Sequence, residues 1–262
     1  MKIKIVIKLI LFISIFVNSN LNAENIFFDS KNIKIEENGN MIFATKGKAQ
    51  IPSSNLIIEG DKFIYDKKIS ELIVIDNVKY FDNENNIYIE SQKIIYNEID
   101  NILFSKNDTY INNNDTYKIN SFDVLYNRDL NKISSKKFTK IEDKNKNKFL
   151  LKKGLIFELI PEIIFSNELN IIDANLNNYF FENSKINLNT NEIIGKEVYV
   201  EFEDSFFGNE KNDPLLKGKS IMSNNEETKI YKTVFSTCNV TNKNCRGWEV
   251  QSQIFTHDKV NK

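Results

Sequence analysis

The sequence predicts an all-β protein, built as an elongated open β-jellyroll or a β-solenoid-like stack of repeated antiparallel strand pairs. Two observations lead to this prediction. First, a pattern of apolar and polar residues returns about every thirty residues, which is typical of stacked architectures. Second, the apolar segments are rich in Ile, Val, Tyr and Phe and end in clusters of Asn and Asp, which favour strands and turns respectively.

Each repeat has an apolar cluster, a short polar step, and a second apolar cluster that closes on a large side chain. The clearest copies are "LIIEGDKFIYD" (56–66), "YIESQKIIYNE" (88–98), "YKINSFDVLYNR" (117–128), "FLLKKGLIFE" (149–158) and "YFFENSKINLN" (179–189). Their closing residues, at separations of 31, 30, 31 and 31, are Tyr65, Tyr96, Tyr126, Phe157 and Leu188. A weaker copy closes on Ile35. A fixed period indicates units that each bury an apolar face against the next.

Between these copies lies a second type of strand, clearest at 71–82 and 101–112. One period therefore holds about two strand pairs with a corner in each. The stretch 154–165 also fits a helical stripe, but Pro161 would break a helix at that point. We expect a strand there instead, with one apolar face made by Leu155, Phe157, Leu159, Ile163 and Phe165.

Alternating apolar positions on these strands predict a common inward face. The residues assigned to it are Ile58, Ile64, Leu72, Val74, Val78, Ile89, Ile95, Phe104, Ile119 and Leu125. A filled core explains this pattern, and so does a groove, open along one side, that shelters apolar ligand chains. Burial of each CH₂ group contributes ~0.8 kcal/mol, so such a groove would hold a lipid with several long tails without charged contacts. Periodicity alone does not separate the two interpretations.

The N-terminal residues have the three parts of a secretory signal peptide. Lys2, Lys4 and Lys8 are basic, residues 9–17 are apolar, and a small-residue cleavage site ends at Ala23. We therefore expect residues 1–23 to be a signal peptide and the protein to be exported.

The remaining chain divides into repeats over 24–232 and a final segment over 233–262 that reads as one more rung. We recognise no capping helix at either end of the repeats. Open sheet edges invite another chain to pair, so an uncapped stack is suited to joining partners edge to edge.

The final segment contains both cysteines, the only tryptophan and the only histidine. In an exported chain Cys238 and Cys245 are disulfide candidates, bonded to each other or to cysteines elsewhere. Together with His257 they fall short of the four ligands of a structural zinc site. The sequence offers neither a nucleophile paired with an oriented base nor a basic face for nucleic acid. We expect no enzymatic activity, cofactor, metal or nucleic-acid partner.

Several segments together resemble the OstA-like (organic solvent tolerance) family, in particular the periplasmic part of the outer-membrane LPS-assembly protein LptD. They are the signal peptide, the repeats, "INLNTNEIIGKEVYVEF" (186–202), "FGNEKNDPLLKGKS" (207–220) and "KTVFSTC…CRGWEV…IFTHD" (232–258). The repeats also resemble those of the bridge protein LptA. The Cys-Trp-His-Asp segment is similar to the stretch that joins the periplasmic domain of LptD to its membrane barrel.

The resemblance implies a V-shaped β-jellyroll in the periplasm at the outer membrane, with lipid A acyl chains inside and sugars outside. It implies a passive conduit whose partners are lipopolysaccharide, an LptA-like bridge protein paired by strand edges, and, in a longer chain, LptE and an outer-membrane barrel. Cys238 matches the family cysteine that bonds to the barrel. The family's barrel would begin where this sequence stops, so we expect either a fragment of such a protein or a stand-alone module closer to LptA. A structural β-stack with a filled core is the alternative.

Overall fold

The computed structural model describes residues 26–203, 214–237 and 248–260. These residues form eighteen β-strands, and two short 3-10 helices occupy turns at Glu37–Gly39 and Pro52–Ser54. The expected signal peptide (1–23) and the two disulfide candidates, Cys238 and Cys245, lie outside the described residues.

The first nine strands, in chain order, are β1 (Phe27–Glu36), β2 (Met41–Ile51), β3 (Leu56–Asp66), β4 (Glu71–Asp82), β5 (Ile87–Asn97), β6 (Ile102–Asn113), β7 (Tyr117–Phe122), β8 (Leu125–Asn127) and β9 (Lys132–Ser135). The other nine are β10 (Thr139–Asp143), β11 (Lys148–Leu151), β12 (Leu155–Glu158), β13 (Ile163–Ile172), β14 (Asn178–Asn187), β15 (Glu192–Glu201), β16 (Leu215–Ser223), β17 (Glu227–Ser236) and β18 (Glu249–Asp258).

The strands form one antiparallel sheet that follows the order of the chain. From β1 to β6, and again from β13 to β18, each strand pairs with the next. Between β6 and β13 the ladder divides into two paths, one through β8, β9 and β12 and the other through β7, β10 and β11. Half A is the first path together with the parts of the long strands that align with it. Half B is the second path together with the other parts of the long strands.

Each long strand passes from one half to the other at a corner near its middle. In β3, residues 56–59 lie in half B and residues 62–66 in half A, and the register with β4 shifts between them. Several corner residues have a positive φ, a conformation that Asn and Asp adopt with less strain than most residues. They include Asp76, Asn107 and Asp123. Some Asn and Asp residues of this sequence therefore bend strands rather than end them.

The bend brings the inward faces of both halves onto one apolar core. Its centre is aromatic: the ring of Tyr80 lies 6.4 Å from the rings of both Tyr96 and Tyr126, centroid to centroid. Four closing residues of the sequence repeat are buried in the half-A wall of this core, namely Tyr65, Tyr96, Tyr126 and Phe157. One period is thus a pair of adjacent bent strands, and the predicted all-β, jellyroll-like fold is confirmed.

The stretch 154–165 forms two strands rather than the single strand that we expected. A turn containing Pro161 joins β12 to β13, and the two strands pair with Phe157 opposite Ile164. Both of those side chains are buried, whereas Phe165 is only partly buried on the outer face. The alternation of inward and outward side chains starts anew after the turn. The residues 154–165 therefore do not form one continuous apolar face.

The two end strands are unpaired along one edge in the described part of the chain, since β1 pairs with β2 and β18 with β17. Inward-facing residues are exposed at both ends: Ile33 and Ile35 on β1 are 48% and 62% exposed, and Val250 and Phe255 on β18 are 53% and 41% exposed. The core is therefore open at each end of the sheet. β18 continues the ladder as a regular antiparallel rung next to β17.

We predict that Gly154→Ala lowers the free energy of unfolding by about 1–3 kcal/mol. Gly154 lies at the corner before β12 with φ +99°, and an added Cβ would lie 2.6 Å from the carbonyl oxygen of Ser135. Gly39→Ala is the matched control, because Gly39 has φ +93° but no atom within 4 Å of the added Cβ. We expect Gly39→Ala to lose less stability than Gly154→Ala. Equal losses of unfolding free energy in urea denaturation would contradict this account of the corner.

Candidate functional site

The structure divides the ten residues assigned to the groove between two faces of the sheet. Six point into the core and are at most 1% exposed: Ile58, Leu72, Val74, Val78, Ile89 and Ile119. The other four lie on the outer face of half A: Ile64, Ile95, Phe104 and Leu125. These four occupy one cross-strand row, in which Phe104 is opposite both Ile95 and Leu125.

The corners explain the division. Ile58 and Ile64 are six residues apart, so strict alternation along a strand would place them on one face. The corner of β3 reverses the alternation, because the buried residues on either side of it, Ile58 and Phe63, are five residues apart. The register shift beside it shows that β3 has one residue fewer than β4 at the corner. A shift between β5 and β6 separates Ile89 from Ile95 in the same way.

Between β3 and β9 the interior is filled by side chains of the protein itself, and a buried ion pair closes its open side. Arg128, just after β8 in half A, donates a hydrogen bond from Nε to Oδ2 of Asp82, at the half-B end of β4, over 2.6 Å. A second bond runs from Nη2 to Oδ1 over 3.2 Å, so the contact is bidentate. The Arg128 and Asp82 side chains are 4% and 0% exposed. We call this contact the Asp82–Arg128 clasp.

Neighbouring groups satisfy the remaining hydrogen-bonding capacity of the clasp. Arg128 also donates from Nη2 to the carbonyl oxygen of Ser54 over 2.9 Å and to Oε2 of Glu84 over 2.8 Å. The hydroxyl of Tyr126 donates to Oδ2 of Asp82 over 3.0 Å. The clasp therefore joins the hairpin turns of half B to those of half A, and holds the two halves together at this level of the sheet.

The electrostatics of the clasp favour both charged forms. Burial raises the pKa of the Asp82 carboxyl, but hydrogen bonds from Arg128 and Asn85 outweigh it, so the pKa of Asp82 lies below its ordinary value. Burial lowers the pKa of Arg128, and the bonds to Asp82 more than restore it. For Tyr126, burial and the neighbouring Asp82 carboxylate both raise the pKa. The tyrosine therefore stays a neutral donor.

Farther along the sheet, from β10 to β15, the two rows of turns enclose a cleft of about 540 Å³. Its apolar walls come from both halves and include Phe149, Ile171, Phe181, Ile186 and Leu188. Its mouth is polar and is lined by Asp143, Asn145, Asp173, Asn187 and Asn191. We call this feature the inter-sheet cleft; an apolar chain would fit its walls while a polar group stayed at its mouth.

One hydrogen bond crosses the inter-sheet cleft. Tyr117, on β7 in half B, donates from its hydroxyl to Oε2 of Glu162, in the β12–β13 turn of half A, over 2.6 Å. Burial and this bond both raise the pKa of Tyr117. A single tyrosine–carboxylate bond holds the halves less firmly than the buried, bidentate ion pair of the clasp.

Sequence reasoning missed the clasp and the residues that cross the cleft. One signal was present: Arg128 is one of only two arginines among the 35 basic residues. Arginine is the cation best suited to buried, bidentate ion pairs, so its use in a lysine-rich chain suggested a special position. Nothing in the local sequence connects Asp82 to Arg128, because they are 46 residues apart and meet only through the fold.

Two further findings concern metal binding and membranes. Within the described ranges, no group of three or more His, Cys, Asp and Glu side chains is placed to hold a metal ion. His257 lies on β18 opposite Thr228 and is exposed. The described residues also include no helix that is long and apolar enough to cross a membrane.

Comparisons with known proteins give no family for this chain. No family model matches it, and no curated protein matches it either. The similarity to the OstA-like family therefore rests on the sequence segments described above.

We predict that Arg128→Met lowers the free energy of unfolding by about 3–5 kcal/mol, because it leaves the Asp82 carboxylate buried without its partner. Lys62→Met is the control: it removes an exposed 3.1 Å ion pair with Asp76 and should cost no more than about 1 kcal/mol. The double variant Asp82→Leu/Arg128→Met should recover much of the loss. Equal losses for the two single variants in urea denaturation would contradict a stabilising role of the clasp.

We also predict a pH dependence that originates in Asp82. Its folded-state pKa is lowered, so its stabilising contribution is complete above the unfolded-state pKa of about 3.9 and is lost as the pH falls through the lower folded-state value. Asp82→Asn should therefore lose less stability than the unmodified protein on acidification from about pH 5 to pH 2. Unfolding free energies measured across that range would refute the assignment if both proteins lost the same amount.

Proposed function

We propose that this protein is a non-enzymatic conduit for lipopolysaccharide in the bacterial envelope. In this proposal the acyl chains lie between half A and half B, and the sugars and phosphates stay outside. Two independent lines support it: the sequence segments similar to the OstA-like family, and an open-ended jellyroll of the kind that this similarity implied. The expected location is the periplasm, at the outer membrane, after export by a signal peptide.

One observation carries the proposal. The apolar interior is continuous from β1 to β17, and in the described ranges it is uncovered at each end of the sheet and at the inter-sheet cleft. A protein whose interior served only to stabilise it would gain by covering these places, since exposed apolar surface is costly and promotes association. A carrier of acyl chains needs openings of this kind.

The inter-sheet cleft is where we expect an acyl chain to enter. Its walls are apolar and its mouth carries carboxylates and amides that hydrogen-bond readily to sugar hydroxyls. Each CH₂ group that moves from water to these walls contributes ~0.8 kcal/mol. For more of the lipid to be sheltered, the halves must move apart, which would break the Tyr117–Glu162 bond and the packing of the Tyr117 ring against Phe157.

The free edges of β1 and β18 support the expected mode of assembly. Each edge strand is ten residues long, and its exposed inward-facing residues would become buried if another open jellyroll continued the ladder. An LptA-like bridge protein is the partner that we expect at such an edge. In a longer chain, LptE and an outer-membrane barrel would follow the β18 end.

A structural scaffold with a filled core is the second candidate function, and the burial of the core favours it. The six inward-facing groove candidates are at most 1% exposed, and the three buried tyrosines leave little room between β4 and β8. In this alternative the edges would still bind partners, but no lipid would enter. A stand-alone bridge similar to LptA remains compatible with the conduit proposal.

We predict that photo-crosslinking amino acids at Ile171 or Leu188, in the walls of the inter-sheet cleft, will capture lipopolysaccharide added to the purified full chain. Ile57 and Phe81 are matched controls, because they are apolar positions on the outer face of half B, paired with each other on β3 and β4. The conduit proposal requires higher capture at the cleft positions than at the controls. Equal capture at all four positions, or none at the cleft, would leave the scaffold as the better account.

A further inference from the structure

The outer face of half A carries a second apolar feature, separate from the core. A row of side chains runs across neighbouring strands through Phe104, Leu125, Ile156 and Phe165, interrupted only by Ser134. The row continues through Lys185 to Ile194. Because neighbouring strands are ~4.8 Å apart, the part from Phe104 to Phe165 extends for about 19 Å across four strand spacings.

This row is the floor of a cavity of about 890 Å³. Leu125, Ile156 and Ile194 remain 37%, 40% and 54% exposed to it. Its rim is basic and contains Lys136, Lys137, Lys153, Lys185 and Lys196. We call this cavity the lysine-rimmed groove; its volume falls in the range of ~300–1,000 Å³ that is usual for small-molecule sites.

The charge of the rim is only partly balanced. Lys153 forms an ion pair with Glu168, which raises the pKa of that lysine, and Asp123 is the acidic residue of the lining. Lys185 lies over the floor, with Nζ 5.7 Å from the centroid of the Phe165 ring. The remaining lysines of the rim are exposed, so the groove attracts anions above an apolar surface.

The outer face of half B shows that this arrangement is not a general property of the sheet. The corresponding row beside its corners runs through Lys79, Glu90, Tyr110, Asn120 and Lys140. That row mixes charges of both signs with polar groups. The row beside the corners is therefore polar and of mixed charge on half B, whereas on half A it is apolar and lysine-rimmed.

We propose that the lysine-rimmed groove binds an amphiphile with one acyl chain and an anionic head group, carboxylate or phosphate. The extended chain lies along the floor from Phe104 to Phe165, and the head group is held by rim lysines. Charge complementarity and the elongated apolar floor both select this class over neutral or purely ionic ligands. The groove lies on the opposite face of half A from the core, so this proposal does not rest on the conduit function.

The test uses the purified full chain and displacement of a fluorescent fatty acid, below the concentration at which micelles form. Palmitate and a one-chain lysophosphatidate are the two anionic competitors, and their relative affinities identify the preferred head group. Monopalmitoylglycerol, with the same chain and no charge, and inorganic phosphate, with no chain, are the controls. We expect saturable binding of at least one anionic amphiphile, weaker binding of the glycerol ester, and no displacement by phosphate.

Two variants test the site itself. Ile156→Glu places a charge on the floor and should weaken anionic binding at least about tenfold. Ile73→Glu, on the same outer row but outside the groove, is its control and should bind normally. Lys136→Glu/Lys137→Glu should weaken anionic binding about fivefold while leaving the glycerol ester unchanged. Circular dichroism and thermal unfolding verify that each variant is folded.

Several results would overturn the proposal. They are a lack of saturable binding, equal weakening by Ile156→Glu and Ile73→Glu, or displacement by phosphate alone. A dimer that depends on Ile156 and forms without binding palmitate would also overturn it, because the groove would then be an interface between two copies of the chain. If the lipid bound in the interior instead, binding would be lost in variants that open or fill the inter-sheet cleft and kept in Ile156→Glu. That result would also overturn the proposal.

Discussion

The corner in every long strand is the constraint on which the rest of this structure depends. A flat antiparallel meander has two separate faces, but a bend near the middle of each strand turns one face onto itself and makes a single core. The corner residues are Asn, Asp, Gly and a few charged residues with positive φ, which bend the backbone without interrupting the chain order of the strands. The core, the inter-sheet cleft and the lysine-rimmed groove all follow from that bend.

The fold class was accessible from the sequence, because the thirty-residue period and the closing residues Tyr65, Tyr96 and Tyr126 both reflect pairs of strands packed on one core. The facing of individual residues was not. Alternation assigns Ile64 and Ile95 to the inward groove, but β3 and β5 each have one residue fewer at the corner than the next strand, and this places both side chains outside. The clasp was also inaccessible, because Asp82 and Arg128 meet only when both halves are formed.

Two polar contacts between the described parts of the halves differ in strength, and this difference separates a firmly held region from a looser one. The Asp82–Arg128 clasp is buried and bidentate, whereas the Tyr117–Glu162 bond lies at the edge of a cleft. Local opening is least costly where few buried contacts are broken. Motion that separates the halves is therefore expected to concentrate between β10 and β15, and the part around β4 to β8 acts as the fixed base for it.

The two free edges have a consequence for assembly. The β1 edge and the β18 edge are different surfaces, so a contact between them on successive molecules would be heterologous. A heterologous contact between copies would build a ring if the rotation closed and a filament if it did not, but not a two-fold dimer. The repeat itself sets no length for such a filament. The number of subunits would then depend on the supply of partner proteins that bind an end strand and stop further addition.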